Sequence, residues 1–220
     1  MAVIGITGSI ASGKSTFRSA LAPLLPAAVL DADLLAKNLL EKDPEVRERV
    51  IRDVSPLAYL PDGSPDRSLI RRIIYNNPVA KKCLESILHA PVRLTWLAAA
   101  ASSREDRRHL LIDIPLLFET GAEDHFDHVV VVACSPGVQQ ARLLSRGLDP
   151  EISRKIVAAQ LPASEKIARA SHVVWNDGSL SALDSQARQF AGEFNGQGNS
   201  SQKCLPARGE PLESSLPAAG

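Results

Sequence analysis

Apolar positions in this chain fall into short continuous runs, set between longer stretches with helical spacing. Residues 2–7, 27–30, 109–113, 127–133 and 172–175 are aliphatic or β-branched runs of strand length. The consecutive valines at 129–132 read as a strand buried on both faces, as in a parallel sheet. Residues 15–24 read as a helix, with Leu21 and Leu24 three apart and Pro23 near its end. Further helices are expected at 34–40, 44–53 and 66–76, then at 77–88, restarted by Asn77-Pro78, and from Pro91 to about 101. Residues 54–65 hold three prolines and a glycine and read as a loop. Beyond the third strand, helices are expected at 136–146, from Asp149-Pro150 onward, and at 181–194. Strands alternating with helices give an α/β fold, a parallel sheet with helices on both faces. The excursion 34–103, between the second and third strands, is long enough to form a helical lobe of its own.

From residue 195 onward Gly, Asn, Ser, Gln and Pro dominate and periodicity vanishes, so 195–220 reads as a disordered tail. The organisation expected is therefore one domain over 1–194 plus that tail. With 220 residues, 45% hydrophobic, the chain has enough apolar material for a large core. Lys+Arg and Asp+Glu both number 25, and this balance gives no reason to expect a nucleic-acid or membrane-surface partner. Cys83, Cys134 and Cys204 are far apart and odd in number, neither a disulfide framework nor a zinc spacing, which fits a reducing cytosol. No signal peptide and no membrane span are expected. His125 and His128, with no further ligands nearby, read as surface residues.

The chemistry begins at Gly8-Ser9-Ile10-Ala11-Ser12-Gly13-Lys14-Ser15, a Gly, four residues, then Gly-Lys-Ser. It follows an apolar strand and opens a helix, the context a phosphate-binding loop requires. Gly8 and Gly13 permit a tight turn whose N–H groups face phosphate oxygens, and the helix adds unpaired N–H groups and the positive end of its dipole. Lys14 can reach the β/γ-phosphates, Ser15 offers a hydroxyl to Mg²⁺, and Thr16 offers a second one.

Asp31 and Asp33 leave the end of the second strand, and if the chain stays extended they point the same way. One of them is expected to cap the following helix, leaving the other for the crevice at the carboxyl ends of the strands. The third strand ends in Asp113, as a Walker B segment does, and that carboxylate would serve Mg²⁺. No Glu follows it directly, which favours transfer over hydrolysis. Arg67 and Arg71 share a helix face and are either a solvated face or a clamp for an anionic substrate. The same choice holds for Arg142 and Arg146, on a helical hairpin suited to a lid.

Taken together these segments resemble the dephospho-CoA kinase family, from about residue 3 to 183. The resemblance rests on Gly5-Ile6-Thr7-Gly8 with the loop, Asp31-Ala32-Asp33, Asp66-Arg67 with Arg71, and residues 84–89 (Leu-Glu-Ser-Ile-Leu-His). It continues in Pro115-Leu116-Leu117-Phe118-Glu119, Gln139 with Arg142 and Arg146, Gln160 with Lys166, and Asn176 with Gly178-Ser179. The chain departs from the family pattern at Ser9 and Ala11, usually glycines; at Lys37, usually Arg; at Pro91, which stands two residues after His89; and at Ser171, usually Asp. The resemblance implies transfer of the ATP γ-phosphoryl group to the ribose 3′-hydroxyl of dephospho-CoA. It also implies a CoA-binding lobe at about 34–103 and a lid at about 140–165. Asp33 carries over as the residue at the acceptor hydroxyl, and Ala11, Ser12, Gly13, Lys14, Ser15 and Thr16 as the ATP loop. Arg142 and Arg146 carry over as lid contacts, with Arg142 and Lys14 serving the chemistry, and Asn176 as an adenine neighbour. Arg67, Arg71, His89, Leu116 and Phe118 would meet the acceptor, and Ser15 with Asp113 the Mg²⁺. A cytoplasmic enzyme, monomeric or a small homo-oligomer, is expected. A nucleoside or nucleotide kinase is the rival among enzymes. A GTP-dependent switch is disfavoured because no Asn-Lys-x-Asp guanine motif occurs.

Overall fold

The computed structural model describes residues 1–195. The elements run β1 (Val3–Thr7), α1 (Lys14–Leu21), β2 (Ala27–Asp31), α2 (Ala32–Lys42), α3 (Pro44–Asp53), α4 (Arg67–Asn76) and α5 (Pro78–Glu105). They continue as β3 (His109–Asp113), β4 (His128–Ala133), α6 (Pro136–Ser145), α7 (Pro150–Ala158), α8 (Ala163–Arg169), β5 (His172–Trp175) and α9 (Leu180–Asn195). The strands form one parallel sheet in the order β2-β3-β1-β4-β5. Its register sets Ile6 beside Asp113 and Asp113 beside Asp31, so the strand ends before the phosphate loop, α2 and residue 114 meet at one edge. Among the described residues, no helix is long and apolar enough to cross a membrane.

Both faces of the sheet are covered. On one, Phe17 and Leu21 of α1 and Leu183, Ala187 and Phe190 of α9 pack over Ile4, Ile6, Leu111 and Val130. On the other, Val92, Trp96 and Ala100 of α5 pack over Val3, Leu110, Ile112 and Val131. A third core, of Val46, Val50, Ala58, Ile70, Leu84 and Ile87, lies among α3, α4 and the first half of α5. The helical excursion thus buries apolar surface of its own.

Three expectations are corrected here. The helices expected at 77–88 and from Pro91 are a single helix of 28 residues that passes through Pro91. Proline lacks the N–H that would bond the Ile87 carbonyl. Burial on both sides, by Leu84 and Ile87 in one core and Val92 and Trp96 in another, outweighs that one lost bond. Second, the chain turns into α2 directly after Asp31, so Asp33 sits in the helix's first turn and the pair shares no strand face. Third, Asn195 closes α9 and donates from Nδ2 to the Leu24 carbonyl, so the tail does not start there. The disorder expected for 196–220 lies outside the described residues.

At the opposite end of the sheet, His128 is not the surface residue expected. Its ring centroid lies 5.4 Å from that of His172 and 5.0 Å from that of Phe194, and His109 lies 5.8 Å from Phe194. Burial and the neighbouring His172 push the His128 pKa below the ordinary value, against the pull of Asp127 and Glu193. Burial, with the N-terminal amine, does the same at His109. The folded chain therefore takes up protons at these rings less readily than the unfolded chain. Stability is full above the unfolded value, about 6.5, and falls as pH drops through it toward the folded values. Thermal melts should show Tm flat near pH 8 and declining between about pH 7 and 5.5, with a shallower decline in His128→Gln. A Tm that does not move over that range refutes this.

Candidate active site

The phosphate loop is built from a backbone that must be held open. Gly13 has φ +94° and Ala11 φ +60°, both in the left-handed region. Gly13 bears this freely; Ala11, at a position where glycine is the easier residue, takes it at some cost. Side chains outside the loop hold its outward main-chain groups. Ile10 N–H donates to Gln160 Oε1 and Ile10 C=O accepts from Gln139 Nε2, each at 2.8 Å. The Ser12 carbonyl accepts from Asn176 Nδ2 at 2.8 Å and from Arg142 Nη1 at 3.1 Å. Arg142 Nη2 donates in turn to the Asn176 carbonyl at 2.8 Å. The first turn of α1 has no side-chain cap and no acidic residue. Its unpaired N–H groups and dipole are left for an anion.

Charge around the loop is partitioned. Lys14 Nζ lies 2.6 Å from Asp113 Oδ1, and Arg18 Nη1 lies 2.5 Å from Asp31 Oδ2 and 3.3 Å from Asp113 Oδ2. Arg18 was not foreseen, although it stands four residues after Lys14 and so shares its helix face. Asp31 also caps α2, accepting from Leu34 N–H. Burial raises the Asp31 pKa, but Arg18 and that cap outweigh it and hold the carboxyl below its ordinary value. Asp33 goes the other way. Desolvation raises it, Lys14 opposes, and the negative charges of Asp31 and Asp113 add to the rise. Of the two carboxyls, Asp31 is engaged in structure and Asp33 faces open space.

That space is a cavity of about 880 Å³, walled by Asp33, His89, Arg93, Trp96, Leu116 and Glu119 among others. It lies where α2, α5 and the segment after β3 converge, next to the loop. His89 and Leu116 both line its wall. Trp96, buried against Phe126 and His125, was missed, being indistinguishable in sequence from a core residue. Arg93, one turn after His89, is joined to His125 Nε2 at 2.5 Å.

Other expected residues are placed elsewhere. Phe118 is buried in the core, with the Arg169 guanidinium 4.6 Å above its ring, because the turn after Pro115 directs Leu116 outward and Leu117 and Phe118 inward. Arg67 pairs with Glu41 at 2.5 Å, and neither it nor Arg71 walls the cavity. Glu41 is eight residues along α2 from Asp33, roughly 12 Å at helical rise. Arg146 ends α6 and is exposed. Arg142 grips the loop itself, and Asn176, only 6% exposed, does the same. Ser15 and Thr16 present exposed side chains at the start of α1.

A strap from residue 160 to 166 joins the two halves of the site. Gln160 holds Ile10, Leu161 N–H donates to Glu119 Oε1 at 2.9 Å, and Lys166 Nζ lies 2.7 Å from the same oxygen. Gln160 also borders the cavity.

Gly13 is constrained twice over. Besides its φ, an added Cβ would lie 2.0 Å from Asn176 Nδ2. Gly13→Ala should displace Asn176, leave the Ser12 carbonyl with Arg142 alone and lower Tm, with nucleotide affinity lost even where the chain still folds. Equilibrium nucleotide binding and a thermal melt measure both. Unchanged affinity would show that this geometry is not needed.

The sequence matches the family model described as dephospho-CoA kinase over residues 2–182. A dephospho-CoA kinase of Symbiobacterium thermophilum is 40% identical over 188 residues, 84% of this chain and 78% of that relative. One from Anaeromyxobacter dehalogenans is 39% identical over 198 residues, 89% of this chain and 93% of the relative. Among solved structures, a Thermus thermophilus protein superposes with TM-score 0.71 at 34% identity, covering 87% of this chain and 96% of its own. The dephospho-CoA kinase of Campylobacter jejuni gives TM-score 0.69 at 25% identity, covering 90% and 98%. With a family model spanning most of its length and relatives this similar over most of theirs, the chain belongs to the dephospho-CoA kinase family.

Proposed function

We propose that this chain transfers the γ-phosphoryl group of ATP to the ribose 3′-hydroxyl of dephospho-CoA, giving CoA and ADP. The observation that carries the reading is Asp33, a carboxyl with no ion pair among the described residues and a raised pKa, beside both the phosphate-loop lysine and the large cavity. A secondary hydroxyl is a weak nucleophile at neutral pH, and a carboxylate in reach can accept its proton as the new P–O bond forms. The proton goes to Asp33, the bond from the γ-phosphorus to the β–γ bridging oxygen breaks, and ADP leaves.

In this reading the loop 11–16 cradles the triphosphate. Lys14 exchanges Asp113 for the β/γ-phosphates, and Arg18 stays to neutralise Asp31 and Asp113. Arg142 and Asn176 act through the loop's shape rather than as an adenine contact, and Arg146, exposed at the end of α6, is a lid cation able to reach the nucleotide. The helical segment 34–103 receives the CoA moiety along the cavity wall at His89 and Leu116, and 140–165 serves as the lid. Arg67 and Arg71 meet the acceptor only if the helical lobe moves toward it. The Ser15 hydroxyl and the buried Asp113 carboxylate are hard oxygen donors of the kind Mg²⁺ prefers, so these two residues would hold it. Held there, Mg²⁺ would supply positive charge against the phosphates. We place the enzyme in the cytoplasm, as a monomer or small homo-oligomer.

Purified chain with Mg²⁺ and ATP should convert dephospho-CoA into a product one phosphoryl group heavier, modified at the 3′ position, by mass spectrometry. Activity confined to nucleosides or nucleoside monophosphates defeats the proposal. Lys14→Ala should abolish turnover, since Lys14 contributes charge to the transition state, while Arg18, still beside Asp113, limits the fall in Tm. Asp33→Asn should lose roughly a hundredfold or more in kcat with ATP affinity nearly intact. Asp31→Asn should lose less in kcat and more in Tm. If Asp31→Asn is the inactive variant and Asp33→Asn turns over normally, the base is the other carboxylate.

A further inference from the structure

Between the phosphate loop and the carboxyl end of β4 lies a void of about 10 Å³, bordered by Ser9, Ser12, Val132, Cys134, Gln139 and Lys166. Two polar side chains on its wall, Ser12 Oγ and Lys166 Nζ, are buried and have no hydrogen-bond partner among the described residues. Lys166 is fully buried, with a relative exposure of 0%. Glu119 Oε1, at 2.7 Å, supplies the opposite charge but not the direction of a hydrogen bond. An ammonium has three N–H donors, and leaving them unmet in a protein interior is costly. Ser12 Oγ is turned under the loop, away from the bulk. A Cβ built on Gly8 would come within 2.8 Å of it. The void is close to the volume that one buried water needs, and its wall offers the polar partners that such a water requires.

We propose that Lys166 is a positioning residue for the phosphate loop, acting through one trapped water that links its ammonium to the Ser12 hydroxyl. The water accepts from Lys166 Nζ and donates to Ser12 Oγ. Ser12 is the loop residue whose carbonyl already takes Asn176 and Arg142, so the link fixes the same peptide from its other side. Because Glu119 borders the acceptor cavity and also receives Leu161 N–H, the Glu119–Lys166 pair ties the floor of the loop to the cavity wall. Lys166 touches no reacting atom.

The inference rests on the loop being the ATP site, and the test separates the two. ATP dissociation constants are measured by equilibrium binding for the natural chain, Ser12→Ala, Lys166→Met and the double variant, each with a thermal melt. Each single variant should weaken ATP binding by about tenfold, the worth of a hydrogen bond to a charged group. The double variant should be no weaker than Lys166→Met alone, since both changes remove one link. Ser12→Ala should melt at the natural temperature, so that its loss is one of loop position and not of fold. Single effects that multiply in the double variant, or ATP binding unchanged in Ser12→Ala, overturn the inference. Should Lys166→Met not fold, Ser12→Ala alone decides by the same tenfold loss against no loss. A natural chain that fails to bind ATP defeats the proposed function instead.

Discussion

A phosphate loop has to solve a problem of backbone direction. Its N–H groups are useful only if they stay unpaired and converge on one point, yet unpaired main-chain groups are what folding ordinarily eliminates. Here the solution is to satisfy the outward half of the loop so fully that the inward half has no freedom to turn. Gln139 and Gln160 take both main-chain groups of Ile10, and Asn176 and Arg142 take the carbonyl of Ser12. These four side chains come from α6, from the strap after α7 and from the residue after β5. Every element beyond β4 that reaches the site therefore serves first to shape the loop, and contact with a ligand comes second.

The same economy governs charge. Three carboxyls, Asp31, Asp33 and Asp113, crowd the end of the sheet near two cations, Lys14 and Arg18. Arg18 takes Asp31 and shares Asp113 with Lys14, so two carboxyls are paired with cations and the third, Asp33, is left beside them. A pKa pushed upward by burial and like charge, beside a partner pushed downward by a cation, is the pattern that divides chemistry from support among neighbouring acids.

Much of this was legible in the sequence because it rests on local rules. The loop, the strand lengths, the Asp66 and Asp149 caps and the parallel sheet follow from spacing and capping chemistry. The resemblance singled out Gln139, Gln160 and Asn176, though not that they act on main-chain atoms more than a hundred residues away. What sequence could not give was anything decided by packing. Proline is read as a helix boundary, yet α5 continues through Pro91 because two cores grip it. Phe118 and Trp96 are both buried in the same core, and only the packing around them leaves Trp96, not Phe118, with an edge on the cavity. Nothing in the sequence marks Arg18 for this pairing, because its partners lie on β2 and β3.

The continuity of α5 has a consequence for how the molecule behaves under load and in engineering. One helix is shared between the core of the sheet and that of the helical segment, so neither can melt while the other stays intact without cutting or fraying this rod. Unfolding should be a single cooperative event despite the two cores. The backbone hydrogen bond that Pro91 removes from the rod falls at the boundary between them. That makes it the natural seam for grafting another family member's helical segment onto this sheet, since a junction there interrupts the fewest interactions the helix makes with itself.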